Sequence, residues 1–216
     1  YLHMMVYRTV GIDMSLLAQK TNKTSPFTTM HMWFVYYLIW FSLLSALLVP
    51  AVSRLPEKIR SYAHTAYRTL AGNWWGLLVL TVPLAIIGSF YPKGMLTPDG
   101  SFIPNVAELL HNGLFFTFGF HLHRHQEALF PRYTKNCWRY AAAGLVMFVL
   151  AGGAVWIEKT DAVYVPHITA WIGFLYNLTS WLLCLALIGL FMRYLPTQNR
   201  VLRYVSDSSY WVFMVH

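Results

Sequence analysis

The sequence predicts an all-α membrane domain, a polytopic bundle of five full transmembrane helices and the start of a sixth. Three observations carry this reading. The chain of 216 residues is 57% hydrophobic and 11% charged, whereas a soluble domain carries roughly twice that charge. Five apolar stretches are each long enough to cross roughly 30 Å of hydrocarbon as helices. Lys and Arg alternate between the connecting segments, the bias that orients membrane proteins.

The elements follow in order. Residues 1–30 form a segment on the outer side, or one returning from an earlier helix. The spans cover residues 31–50, 73–91, 103–120, 140–156 and 168–192, the third and fourth near the lower length limit. A sixth, over 208–216, is cut off after nine residues, with Asp207, Ser208 and Ser209 as its N-cap signal. The chain opens at Tyr1 without an initiator Met and stops at His216 within the run YWVFMVH. It therefore reads as a piece of one larger membrane domain.

The orientation comes from charge. Segment 51–72 holds Arg54, Lys58, Arg60 and Arg68, segment 121–139 holds Arg124, Arg132, Lys135 and Arg139, and segment 193–207 holds Arg193, Arg200 and Arg203. The two segments between them, 92–102 and 157–167, hold only Lys93 and Lys159. The basic segments face the cytoplasm, so the chain reads as a multi-pass membrane protein with the lipid bilayer as its first partner. The net charge of +8 is then mostly topology and does not argue for a nucleic-acid partner. Segment 51–72 has the basic and aromatic pattern of a short amphipathic helix lying on the inner surface. Pro166 marks the start of the fifth span, where proline is tolerated. Two cysteines, Cys137 and Cys184, have no metal-ligand spacing.

Ionisable residues within the apolar stretches are the candidate site. Glu108 and His111, at i and i+3 in span 103–120, share a helix face. Such residues usually face a cavity or the bundle interior, which makes them candidates for handling a proton or orienting a substrate. The plainer reading leaves Glu108 wet near the outer interface, a little past Pro104. His31 opens the first span among Trp33, Phe34, Tyr36 and Tyr37, a pattern that an interfacial aromatic belt also explains. At the inner end of the third span His121, His123, Arg124 and His125 form a cationic collar. On a helix i and i+2 point apart, so no metal site is expected there. The collar reads either as an anion site or as ordinary positive-inside charge. Tyr176, Asn177 and Ser180 read as neutral polar groups that bond between helices.

Three pieces in this order resemble the acyltransferase 3 family of integral membrane acyltransferases, which includes glucan succinyltransferases and O-antigen and exopolysaccharide O-acetylases. They are His31-Met32-Trp33-Phe34-Val35, Phe115-Phe116-Thr117-Phe118-Gly119 and the run Ser208 to His216. The chain departs conservatively, with Met32 and Val35 for Leu, Phe213 for Tyr and Met214 for Leu. The resemblance covers the chain as the C-terminal half of a family member. It implies that the family's catalytic Arg and His lie on a first membrane helix outside this chain, and that this piece is inactive alone.

The resemblance implies transfer of an acetyl- or succinyl-type group from a cytoplasmic acyl-CoA donor to a hydroxyl of a glycan outside the cytoplasm, with no bound cofactor and no metal. In that picture His31, His111, His216 and Glu108 support the catalytic site. Trp33 and Phe34 shape the cavity, and Arg124, His121 and His123, together with segment 51–72, meet the donor's phosphates. A proton-coupled transporter with Glu108 and His111 as its relay is the alternative. It predicts matched broken helices in inverted repeats, and the interruption near Pro92, Pro98 and Pro104 has no partner.

Overall fold

The computed structural model describes residues 33–97, 103, 105–160, 164–195, 200, 203–205 and 207–209. Among the described residues the protein is helical, with no strand. Among the described residues six α-helices have both ends placed: α1 (Trp33–Ser53), α2 (Glu57–Gly72), α3 (Trp74–Gly88), α4 (Val106–Arg124), α5 (Gln126–Thr160) and α6 (Ile168–Tyr194). A 3₁₀ turn over Pro92–Gly94 follows α3.

Helices α1, α5 and α6 are long and apolar enough to cross a membrane, and α2 with α3 make a fourth candidate if that bent pair is one span. Its two helices meet at 103° across Asn73, whose extended backbone breaks the helix. The 15 residues of α3 reach only about 22 Å as a helix. Helix α4, which covers the third expected span, carries Glu108, His111, Asn112, His121, His123 and Arg124 and is not among the candidates. A chain of five full spans is therefore more regular than the molecule. Its short or polar members, α3 and α4, pack beside long apolar ones.

The segment expected as the inner loop 121–139 is mostly helix. Helix α4 runs to Arg124, His125 caps it, and α5 starts at Gln126. The 35 residues of α5 extend about 52 Å, so its first turns continue beyond the N-terminal end of the expected span. Segment 51–72 folds largely as α2, an amphipathic helix. Helical residues already stand at Arg203, Tyr204 and Val205, upstream of Asp207, and the Ser209 hydroxyl donates back to Val205 O at 2.7 Å. Asp207 is therefore not the start of the last helix. It lies 3.9 Å from Arg203, one turn before it.

The core gathers on α6. Leu178, Trp181, Leu182 and Leu185 of α6 meet Leu77 and Leu84 of α3, Phe118 and Leu122 of α4, and Leu129 and Tyr133 of α5. The far face of α5 leaves Leu145, Val146, Phe148, Val149 and Leu150 at least half exposed, the surface that lipid covers in a membrane protein. Two close approaches set the helix spacing. A Cβ at Gly189 of α6 would strike the Tyr133 carbonyl of α5. At Gly94, held at φ +66°, a Cβ would strike the Thr169 carbonyl. The turn after α3 thereby seats on the first turns of α6, beside Gly173.

Candidate functional site

Helix α4 buries Glu108 and His111, and each reaches a different neighbour. Asn105 caps the helix, its side chain accepting from Ala107 N at 3.1 Å, so Glu108 falls in the first turn, where the helix dipole favours a carboxylate. Glu108 is 3% exposed. The Tyr37 hydroxyl of α1 donates to its Oε2 at 2.5 Å. Glu108 is thus enclosed by protein, and the interfacial, wetted reading fails. One turn on, His111 is also buried and pairs through Nε2 with Asn177 Oδ1 of α6 at 2.9 Å. Asn177 is itself buried and donates through Nδ2 to Gly173 O at 2.8 Å.

Aromatic rings close the space around these pairs. Phe115 lies 5.6 Å from the His111 ring and stacks on Trp181 at 4.3 Å. Phe41 stacks on Phe116 at 4.9 Å and lies 5.9 Å from Tyr37. Two of the three rings of the Phe115–Phe118 motif therefore wall the polar pairs, and Phe118 joins the core against Trp181.

The C-terminal end of α4 is a second polar centre. His121 and His125, one turn apart, both face His64 of α2. His64 Nδ1 and His125 Nε2 are 3.2 Å apart, and the His64 and His121 rings are 6.1 Å apart. Tyr67 lies against both His121 and His125 and donates through its hydroxyl to Phe118 O at 2.9 Å. Burial first, and then the neighbouring His64, lower the pKa of His121 and of His125 below the usual imidazole value. Other positive neighbours add to this, Arg124 at both and Arg68 at His125.

Beside these rings, α2 and α5 enclose a groove of about 450 Å³ lined by Thr65, Arg68, Thr69, Asn73, Ala128, Leu129 and Arg132. Arg132 donates to Gly72 O at 3.3 Å and Tyr133 to Ala71 O at 2.8 Å, satisfying carbonyls that the end of α2 leaves open. Among the described residues no carboxylate pairs with Arg68 or Arg132. The groove therefore has the charge to hold an anion.

The expected site residues divide accordingly. Glu108 and His111 are both buried one turn apart on α4 and bond to different helices, α1 and α6. His121 turns inward to the histidine cluster, while His123 and Arg124 stay exposed and are not among the groove's lining residues. Phe34 is 48% exposed at the start of α1. His31, His216 and the Trp33 side chain lie outside the described residues. Sequence reasoning gives Tyr37 only a belt role and Asn177 only a packing role; it offers segment 51–72 as a whole for phosphates without singling out His64, Tyr67 or Arg68, and it passes over Arg132 as a site residue. The spacing of His121 and His125 at i and i+4 is the signal that pointed to a shared face. Among the described residues no three His, Cys, Asp or Glu side chains converge to hold a metal.

A family model described as an acyltransferase domain, that of acyltransferase 3, matches residues 2–216. The chain belongs to the acyltransferase 3 family. No curated protein and no solved structure matches it. Membership makes this chain an acyltransferase, and its apolar helices make it a membrane protein. For an acyltransferase 3 protein the two polar centres, one inside the bundle and one at its basic end, are the places where chemistry has groups to work with.

Proposed function

We propose that the protein takes part in moving an acyl group, acetyl or succinyl in type, from a cytoplasmic acyl-CoA to a hydroxyl of a glycan on the outer face of the inner membrane. The observation that carries this reading is the pairing of buried Glu108 and His111 on one helix whose other end meets a basic groove. The groove's Arg68 and Arg132 suit the donor's phosphates, since guanidinium binds phosphate through paired, charge-assisted hydrogen bonds. Arg68 belongs to segment 51–72, which the sequence reading offers for the phosphates, and Arg132 takes the part it gives to Arg124, His121 and His123.

The reaction needs a base to take the proton of the acceptor hydroxyl as its oxygen attacks the thioester carbonyl. It also needs donors for the oxyanion that forms. The carbon–oxygen bond forms, the carbon–sulfur bond breaks, and the released thiolate takes up a proton. By resemblance the base is the histidine of the family's first membrane helix. His111, Glu108, His31 and His216 support it, with Tyr37 and Asn177 fixing the first two.

The test is in-cell acylation by the complete parent protein. Wild type is compared with His111→Ala, Glu108→Gln and Arg68→Ala/Arg132→Ala at matched membrane levels, with glycan acyl content read by mass spectrometry. Loss of acyl groups in the variants, with normal insertion, is the expected result. Acylation at wild-type level in all three sinks the assignment of these residues. A wild type that leaves every glycan unmodified sinks this acceptor class.

A further inference from the structure

The two rings that clasp α2 to the α4–α5 junction hold their contact in only some charge states. His64 Nδ1 and His125 Nε2 stand 3.2 Å apart. A hydrogen bond between ring nitrogens needs an N–H on one and a lone pair on the other. The pair therefore fits two neutral rings, or one neutral and one charged, and excludes two imidazolium ions. The groups around it offer no negative charge. From α2 they are Tyr67 and Arg68, and from α4 His121 and Arg124. On α5, Arg132 lines the groove together with Arg68. Glu127, the carboxylate nearest to His125 in the sequence, is exposed. Among the described residues no carboxylate pairs with any of these groups. Burial and the positive neighbours disfavour a proton on His121 and on His125.

The same pair sits beside the basic groove. Arg68 stands one turn after His64 on α2, and Leu129 one turn after His125, and both line the groove. One turn is about 5.4 Å of rise, inside the screening length of about 8 Å at physiological salt. An anion held by Arg68 and Arg132 brings the countercharge that the pair lacks, and an opposite charge nearby favours the charged ring. Linkage makes this reciprocal: what the anion adds to the proton's affinity, the proton adds to the anion's. Thr65, Thr69 and Asn73 of the same groove supply further donors for phosphate oxygens.

We propose that the groove binds a phosphate ligand together with one proton, taken up by the His64–His125 pair, so that its hold on the phosphate strengthens as pH falls. This deepens the acyl-transfer reading, on which the identity of the phosphate as the donor's rests.

The experiment uses the complete parent protein in phosphatidylcholine nanodiscs. The probe is dimethyl pyrophosphate, one methyl ester on each phosphorus, which has no titrating group between pH 6 and pH 8. Calorimetry in buffers of different ionisation enthalpy counts the protons taken up. Wild type should take up a substantial fraction of one proton per anion at pH 7, and bind about tenfold more tightly at pH 6 than at pH 8. His64→Gln/His125→Gln should still bind the diester, with no uptake and no pH dependence, and Arg68→Ala/Arg132→Ala should not bind it. Binding without proton uptake, uptake that survives in the histidine variant, or no binding at all overturns the proposal. Where the histidine variant fails to insert, ¹⁵N-histidine spectra of the wild type decide: a pair that gains a proton when the diester is added supports the proposal, and unchanged rings end it. Acetyl-CoA is titrated alongside. A groove that takes the diester with its proton and leaves acetyl-CoA unbound keeps this site and removes the donor reading. Acetyl-CoA bound while the diester is ignored removes this site and keeps the donor.

Discussion

Tyr37 is where the buried chemistry is most easily probed one residue at a time. Its hydroxyl meets a carboxylate that is 3% exposed. Tyr37→Phe keeps the ring against Phe41 and removes one donor. The expected cost is about 1–2 kcal/mol, the worth of a buried polar contact between membrane helices. It should appear as a lower Tm of the purified protein in detergent, and a midpoint equal to wild type would show that the carboxylate does not depend on Tyr37. The Glu108 and His111 pair was legible as a sequence feature, because two ionisable groups stand out in an apolar stretch. Their partners were not. Tyr37 and Asn177 lie 71 and 66 residues away, and nothing local distinguishes Tyr37 from the other aromatics of its belt.

At the scale of elements, the contact of α2 with the α4–α5 junction carries a pH dependence. His121 and His125 have folded pKa values below their ordinary value of about 6.5. The unfolded chain therefore binds more protons in the window from about 6.5 downward to the folded values, and stability rises with pH there. This contribution is complete above that window and is lost as pH falls through it. Thermal melts between pH 8 and 5 should show Tm dropping on the acid side. The His121→Asn/His125→Asn variant should flatten that drop, and an unchanged slope would remove the cluster as its cause. The amphipathic character of α2 could be read from its sequence. Its 103° bend into α3 at Asn73 could not, because the carbonyls opened there are met by Tyr133 and Arg132 of another helix.

For the whole molecule, the charge pattern implies that α2 lies inside and the turn after α3 lies outside. In a Cys137→Ala/Cys184→Ser background, a cysteine at Thr65 should react with a membrane-impermeant thiol reagent only in inside-out vesicles. One at Thr97 should react only in intact cells after outer-layer permeabilisation. The opposite labelling would reverse the orientation. The resemblance drawn from the motifs at 31–35, 115–119 and 208–216 agrees with the family match over residues 2–216. Short apolar motifs specify a family when they recur in a fixed order, even where each alone is weak.

The sequence by itself determined that this is a helical membrane protein, which segments are apolar, where charge collects and to which family the chain belongs. These follow from composition and local order, and the bilayer filters both strongly. Only the tertiary structure decided that α4 is shielded by its neighbours, that Glu108 and His111 bind α1 and α6 respectively, and that Arg68 and Arg132 share a groove. Each of those depends on which helices lie side by side. That is set by close contacts such as Gly189 on Tyr133 and Gly94 on Thr169, between residues far apart in the chain.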